Sequence, residues 1–556
     1  MLVTLDYIAI VLYLLIMAGV GLFFGWFIKD IKDYFKGGNT IPWGISAISN
    51  FMGSLSTFVF IAYAGLAYSH GLTGVTVLWC TIPPFIFAAL VMGKRWVRSR
   101  IITPVEYLET RFNVSVRQLF SWIGLIMRFL DNMVRQYAMG IFLTTATGFE
   151  FLDAVIFSGI ITTFFTIVGG VWAVVVMDTL QFIILVFVSV LLVPLSLDAV
   201  GGLDTLMISH PDHFDWFNGP KGQPLWLMVY YLMVLLKYNG NWVFIQRFYS
   251  VRDEAATKKL GFLSALLLFI FPIVFLLPAI AAVDILPDLA DPEQAYVAVA
   301  VKLLPAGLLG LMVAAMFSAT MSSLNSEFNV MSGVLTNDVY KRLINPGASE
   351  KQLILVARLN IIIVGCIVIF GALFVGELGG AFEANKLLTG LFAIPLAIPL
   401  VLGMLYQKTN TLGAFITVGT GIVLGFTLNA AAGVSWEVAT LVEIIGCTAA
   451  FYLSGWLIPS SVAFRKRVQE FFKKINTPLT RNEIGEPDPN FQNSLANLFV
   501  VAIALSGILF LAMSIPSLDE TSGKIAIGLG ILCLLLSIFI KWYFTGTFSF
   551  FKKKTK

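Results

Sequence analysis

Charge is scarce in this chain. Of 556 residues, 36 are Lys or Arg, 32 are Asp or Glu and 3 are His, so 12% are charged while 58% are hydrophobic. A soluble domain carries about 25% charged residues, and this deficit excludes one. Cysteine is sparse too. Cys80, Cys366, Cys447 and Cys533 are dispersed in apolar segments without a CxxC pair, which supports neither a disulfide framework nor a thiolate metal site. Histidine is limited to His70, His210 and His213, in or beside loops. An intramembrane hydrolase or acyltransferase needs a His-Asp, Ser-His or HExxH constellation, and the apolar runs hold no such histidine. No enzyme, haem or zinc site is expected. The net charge of +4 resides mainly in loops between apolar runs, so no nucleic-acid partner is expected either.

What is present is apolar sequence of membrane-spanning length. Windows of about 20 residues give roughly fifteen helices, at 5–28, 44–69, 72–93, 119–147, 151–170, 172–199, 225–249, 260–284, 304–337, 353–376, 385–406, 411–431, 435–458, 494–514 and 524–544. The first run, Ile8 to Ile28, is too long for a signal-peptide core and lacks a basic start; it reads as a retained span. Basic residues punctuate alternate connections: Lys94, Arg95, Arg98 and Arg100; Arg252, Lys258 and Lys259; Lys341 and Arg342; Arg465 to Lys474; and Lys552 to Lys554. All fall on one side if the N-terminus is outside, and the positive-inside rule then puts the C-terminus in the cytoplasm. A bacterial inner membrane and a monomer are expected. The segment 459–493 reads as a cytoplasmic loop too short to be a domain. It divides a membrane domain, 1–458, from accessory helices and a basic tail at 494–556.

Polar clusters interrupt this apolar background. Ser318-Ala319-Thr320-Met321-Ser322-Ser323-Leu324-Asn325-Ser326-Glu327 lies within the run Leu303 to Val334, and Asp178 stands alone in another. Hydrocarbon satisfies no hydroxyl or amide, so these groups must face protein, an ion or a cavity. Clustered hydroxyls and one carboxylate are the oxygen set that replaces the hydration shell of a small hard cation such as Na⁺. Two spans also hold glycine with polar flanks at mid-helix: Asn50 to Thr57 around Gly53, and Lys237-Tyr238-Asn239-Gly240-Asn241. They stand five spans apart, in corresponding places if 44–199 and 225–406 are inverted repeats. Paired broken helices mark a transporter's midplane site. Against each feature stands a plain structural role: glycine is common in membrane helices, and serine there bonds back to its own backbone.

Three motifs carry a family resemblance. They are Gly169-Gly170-Val171-Trp172-Ala173-Val174 leading to Asp178 and Gln181, Met321 to Ser326 leading to Thr336-Asn337-Asp338, and Asn241-Trp242-Val243-Phe244-Ile245-Gln246-Arg247. In this order they resemble the sodium:solute symporter family, which includes sodium–galactose, sodium–proline and sodium–sialate transporters, over roughly the first 460 residues. The resemblance implies an all-α polytopic protein with the leucine-transporter 5+5 inverted repeat. It also implies a sodium site between spans two and nine, formed by the carbonyls of Met52, Leu55 and Ala319 and the hydroxyls of Ser322 and Ser323. Positions 319, 322 and 323 do share one helix face. Some members hold a second sodium between a span-six Asp and span-nine hydroxyls. Asp178, Ser322 and Ser326 match it, while Asn325 stands where those members have Ser or Thr. A structural ion pair is the other reading of Asp178.

The expected function is sodium-driven uptake of a small polar solute by alternating access, with a sugar or a sugar acid such as sialic acid favoured. An amino-acid or monocarboxylate symporter, or a non-transporting sensor or channel on the same fold, is the alternative. Ser54, Ser56, Thr57, Asn239 and Asn241 are the expected solute contacts. Positions where galactose-type members read their sugar correspond to apolar Val59 and Leu78. Arg135 aligns with an arginine that binds a carboxylate in the sialate members; pairing with Asp131, four residues earlier, is its other reading. Lys237 offers a further cation near the second break.

Overall fold

The computed structural model describes residues 2–25, 41–378, 381–430, 434–480, 484 and 489–552. The end of the first expected span, most of the basic tail, and the side chains of residues 168–176 in the Gly169 motif lie outside the described residues.

The described chain is helical throughout, and its one β contact is an isolated bridge between Ile41 and Val251. The main helices are α1 (Thr4–Gly25), α2 (Trp43–Ser54), α3 (Val59–His70), α4 (Thr73–Ser99), α5 (Val114–Thr147), α6 (Phe151–Ala199), α7 (Pro224–Asn239), α8 (Trp242–Ser250), α9 (Glu254–Ile285), α10 (Leu308–Val334), α11 (Glu350–Ala372), α12 (Ala381–Leu402), α13 (Thr411–Ala430), α14 (Trp436–Leu457), α15 (Val462–Asn476), α16 (Pro489–Ser514) and α17 (Thr521–Lys552). Local chemistry sets many starts. Asn113, Asp253 and Ser461 each accept a backbone N–H of the first turn, and Ser349 with Gln352 forms a reciprocal capping box.

Among the described residues, nine helices are long and apolar enough to cross a membrane, or eleven if each bent pair is one span. That is fewer than the fifteen expected, for identifiable reasons. The pair α7 and α8 is interrupted by polar residues, and only short apolar stretches of α1 and α16, Thr4–Gly19 and Ile503–Ser517, are described in full. The turn expected at residue 171 is absent as a loop: α6 stays helical for 49 residues. No proline lies between 168 and 176, and glycine in a helix costs only about 1 kcal/mol relative to alanine. Yet Thr166 contacts Asn325 and Asp178 contacts Ser322, residues within one turn of each other on α10. Residues on both sides of 168–176 therefore lie against α10.

The segment 459–493 is not irregular throughout. It holds α15, whose Val468, Phe471, Phe472 and Ile475 are buried while Arg465, Lys466, Lys473 and Lys474 are exposed. Its apolar residues recur at 3.6-residue spacing, a period masked in the sequence by basic neighbours. α15 belongs to a face where the basic connections meet. Arg98 pairs with Glu254, Arg117 with Asp338 and Arg342 with Glu109, and Lys474 Nζ donates to Ser99 O at 3.0 Å. The opposite face gathers the 201–224 connection, where His213 O accepts from Leu72 N, and the start of α10, where Asp6 accepts from Gly307 and Gly310 N–H.

α10 is the axis of the molecule. Every residue from Leu308 to Val334 is buried, polar ones included, and α1, α5, α6, α2 and α11 pack around it.

Candidate functional site

The first break lies where α2 ends. Leu55 leaves the helix in an extended conformation (φ −97°, ψ 145°), its N–H still bound to Met52 O and Phe51 O, and α3 resumes at 58° to α2. The second break follows Asn239: Gly240 ends α7, and Asn241 starts α8 with its side chain accepting from Val243 and Phe244 N–H. Gly240 is required by close approach, because a Cβ there would stand 2.8 Å from Ala397 Cβ.

At the first break α3 is tied to α10: Thr57 N–H donates to Thr320 Oγ1 at 2.8 Å, and the two hydroxyls touch. Around this tie stand the residues expected for sodium. Ala319, Ser322 and Ser323 are fully buried on α10, and Met52 and Leu55 are fully buried at the end of α2. Ser323 Oγ donates to Thr320 O at 3.0 Å, and Ser322 Oγ donates to Asp178 Oδ1 at 2.5 Å. Both hydroxyl protons are therefore spent on acceptors, leaving oxygen lone pairs for a cation, and the C-terminal carbonyls of α2 carry the negative end of its dipole. The back-bond expected of a merely structural serine is present at Ser323, but it does not consume the lone pairs. The set fits a hard alkali cation.

The second expected sodium position is built differently from its sequence reading. Asp178 accepts from Ser49 Oγ as well as from Ser322, and the Arg247 guanidinium lies 3.8 Å from its Oδ2. Arg247 also donates to Ser49 Oγ at 2.8 Å, to Ser326 Oγ at 2.7 Å and to Gln246 Oε1 at 2.9 Å. A fully buried arginine thus sits among the residues expected to hold the ion. Asn325 faces away from them, towards α6: Thr166 Oγ1 is 2.6 Å from its amide, and the hydrogen-bonding surroundings set the amide nitrogen towards Thr162 O and Met321 O.

Between the two breaks lies a narrow cavity of about 50 Å³. Ser54, Ser56, Arg135 and Asn241 line it, as do Lys237 and the apolar Val59 and Leu78. Thr57 and Asn239 do not. Thr57 is committed to Thr320, and the Asn239 amide donates to Leu235 O and Pro84 O beside a separate small pocket. Tyr63, Tyr230, Tyr238, Phe58 and Phe244 supply ring faces, and Asn385 enters from α12.

The cavity floor carries a charge cluster only partly legible in the sequence. Asp131 accepts from Lys237 Nζ (3.1 Å) and Asn385 Nδ2 (3.1 Å), and pairs with Arg135 at 3.0 Å. Glu327 pairs with Arg128 at 3.1 Å, accepts from Asn241 Nδ2 at 3.3 Å and lies 3.9 Å from Arg135. Arg135 pairs with Asp131 and also lines the cavity. Glu327 entered the sequence reading only as the end of the polar cluster, and Arg128 and Asn385 escaped it. An ionisable residue deep in an apolar run was the available signal for Arg128; Asn385 had none.

Comparison with known proteins agrees with this geometry. The model of the family described as "Sodium:solute symporter family" matches residues 34–421. The sodium/glucose cotransporter of Vibrio parahaemolyticus is 27% identical over 469 residues, covering 76% of this chain and 85% of that one. The human sodium/myo-inositol cotransporter 2 is 28% identical over 475 residues, covering 76% and 69%. A solved structure of a Na⁺-coupled sialic acid symporter, substrate-bound and outward-open, superposes with a TM-score of 0.73 at 23% identity, over 82% of this chain and 98% of that one. That likeness shows the fold, an all-α membrane protein of the leucine-transporter type with its 5+5 inverted repeat. The chain belongs to the sodium:solute symporter family and is a sodium-coupled solute symporter.

Proposed function

We propose that this symporter takes up a small sugar-type solute, sugar acids above all, across a bacterial inner membrane, with its N-terminus outside and its C-terminus in the cytoplasm. The observation that carries the reading is the charge balance beside the cavity. Arg128, Arg135 and Lys237 face Asp131 and Glu327, three cations against two carboxylates. One positive charge is left over in a low-dielectric site, and a solute carboxylate would neutralise it. Hydroxyl and amide groups on Ser54, Ser56, Asn241 and Asn385, with tyrosine faces, suit the hydroxyls and the C–H faces of a sugar ring. Val59 and Leu78 in the wall argue against a galactose-type arrangement. A sodium/glucose cotransporter, a sodium/myo-inositol cotransporter and a sialic acid symporter among the similar proteins support the class.

Sodium, as co-substrate, would be held by the carbonyls of Met52, Leu55 and Ala319 and the hydroxyls of Ser322 and Ser323. It would fasten the end of α2 to α10 one turn from Ser54 and Ser56, which face the solute. Filling either site thereby orders the other, and coupling of this kind is typically worth about 1–3 kcal/mol. One sodium per cycle is the proposed ratio, because the guanidinium of Arg247 already lies against Asp178 and Ser326. The proposed repeats are 44–199 and 225–406, the acting unit is a monomer, and α16 and α17 are accessory.

The test is sodium-gradient-driven uptake into proteoliposomes of labelled sialic acid, glucose, myo-inositol, proline and a monocarboxylate. Uptake of sialic acid or another sugar acid ahead of neutral sugars is the expected result. Transport confined to neutral sugars or zwitterionic amino acids overturns the charge argument.

A further inference from the structure

Glu443 serves neither the sodium residues nor the cavity, yet it is 1% exposed in the middle of α14, and its Oε1 has no hydrogen-bond partner. The other buried carboxylates have partners: Asp6 accepts from the N–H groups of Val3, Gly307 and Gly310, and the remaining four have cations. Asp131 faces Lys237 and Arg135, Asp178 faces Arg247, Glu327 faces Arg128 and Asp338 faces Arg117. Among the described residues Glu443 forms no ion pair, and its surroundings offer only desolvation.

Two glycines on neighbouring helices lie against it. A Cβ on Gly425 of α13 would come within 3.4 Å of Oε1, and one on Gly390 of α12 within 3.9 Å of Oε2. The elements packed against α14 bring no free charge to this point. α13 contains no titratable residue. On α12, Lys386 is paired with Glu383 and stands over the Trp436 ring, two turns before Glu443. On α7, Tyr230 bonds Tyr63, Tyr231 bonds Thr76 O, and Lys237 is held by Asp131 and Thr389. On α14 itself Cys447 is buried one turn on, while Glu437 and Tyr452 are farther off.

An ionised carboxylate without cation or donor is strongly disfavoured in a membrane interior, whereas the neutral acid is tolerated. Gly390 belongs to a π-helical turn of α12, Thr389–Ala393, a feature that concentrates at functional sites. The opposite side of α12 carries Asn385 and Thr389, both bonded to Lys237 at the cavity. We propose that Glu443 is a proton-binding site, occupied in this conformation and emptied only when α12 shifts so that water or a donor reaches the carboxylate. Proton occupancy behind α12 and solute occupancy in front of it then bias the same helix, and each alters the affinity of the other. The link to transport rests on the symporter reading; the bound proton does not.

The bound proton is read by infrared spectroscopy of the full chain in proteoliposomes. At pH 7 the wild type should show the C=O stretch of a protonated carboxylic acid that is missing in Glu443→Gln. The band should change on adding sodium with the transported solute. Dicyclohexylcarbodiimide, which attacks protonated carboxyls from the lipid phase, should modify Glu443 in the wild type at pH 7 and spare the paired carboxylates; this needs no variant. Absence of both the band and the modification overturns the site. In uptake assays Glu443→Gln should transport but lose the decline of the wild type at alkaline pH, and an unchanged pH profile overturns the link to α12. Loss of sodium-driven uptake in the wild type overturns the symporter reading instead and leaves the band untouched.

Discussion

Replacing Asp178 with Asn tests what the pair formed by Asp178 and Arg247 does. If Arg247 fills the second cation position, each cycle moves one sodium. With a tenfold sodium gradient and 100 mV, one ion supplies about 1.4 kcal/mol from concentration and about 2.3 kcal/mol from potential. That limits accumulation of a neutral solute to about 500-fold, whereas two ions would allow about 3 × 10⁵-fold. With a monoanionic solute a one-sodium cycle is electroneutral, so uptake should hardly respond to potential. The ratio of labelled sodium to labelled solute taken up by proteoliposomes reads the stoichiometry directly, and a value of one is expected in both the wild type and Asp178→Asn. What Asp178→Asn should change is stability. Arg247 is fully buried, and removing its carboxylate leaves a buried cation with only neutral partners in Ser49, Ser326 and Gln246. Breaking such a pair costs about 3–5 kcal/mol, while replacing both partners by neutral residues is far cheaper. Asp178→Asn should therefore lower the thermal midpoint clearly, and Asp178→Asn combined with Arg247→Met should recover most of the loss. A ratio of two in the wild type that falls to one in Asp178→Asn, with stability kept, would refute the reasoning and make Asp178 a sodium ligand.

Ser323→Ala removes one oxygen expected for sodium and no bond to Asp178, so half-saturating sodium should rise by roughly 10–100-fold, about 1.5–3 kcal/mol, with expression retained; unchanged sodium dependence of uptake removes Ser323 from the site. Arg135→Lys keeps the charge but loses the planar fork that reaches Asp131 and the cavity, so KM for an anionic solute should rise while a neutral solute, if transported, is spared; normal transport of the anion by the variant assigns Arg135 to Asp131 alone. Gly240→Ala drives a methyl against Ala397 at the second break and should cost about 1–3 kcal/mol, read as a lower thermal midpoint of the purified protein; no change would show that α7 and α12 separate easily there.

Much of the architecture followed from composition and spacing. Hydrocarbon admits only helices whose backbone is internally bonded, so apolar runs translate directly into helices. The polar interruptions at 50–57 and 237–241, the hydroxyl-rich stretch of α10 and the basic punctuation were readable because each violates the apolar pattern, although the first break falls at Leu55 and leaves Gly53 helical. α15 was not, since its apolar residues are interleaved with lysines and arginines and become a stripe only once wound into a helix. The joint contact of Thr166 and Asp178 with α10 was not readable either, because it depends on how the helices pack.

Sequence by itself determined that a cluster of hydroxyls and a carboxylate lies within the apolar runs and must find partners, because burial without them would be too costly. Only the tertiary structure decided how those groups pair. It set Arg247 against Asp178 from a helix about 70 residues away, turned Asn325 towards Thr162 and Thr166, committed Thr57 to Thr320, and joined Arg128, Asp131, Arg135, Lys237 and Glu327 into one cluster. Pairing in a low-dielectric interior depends on distances of a few ångström between residues far apart in the chain. Helical spacing fixes such distances within one helix, and packing alone fixes them between helices.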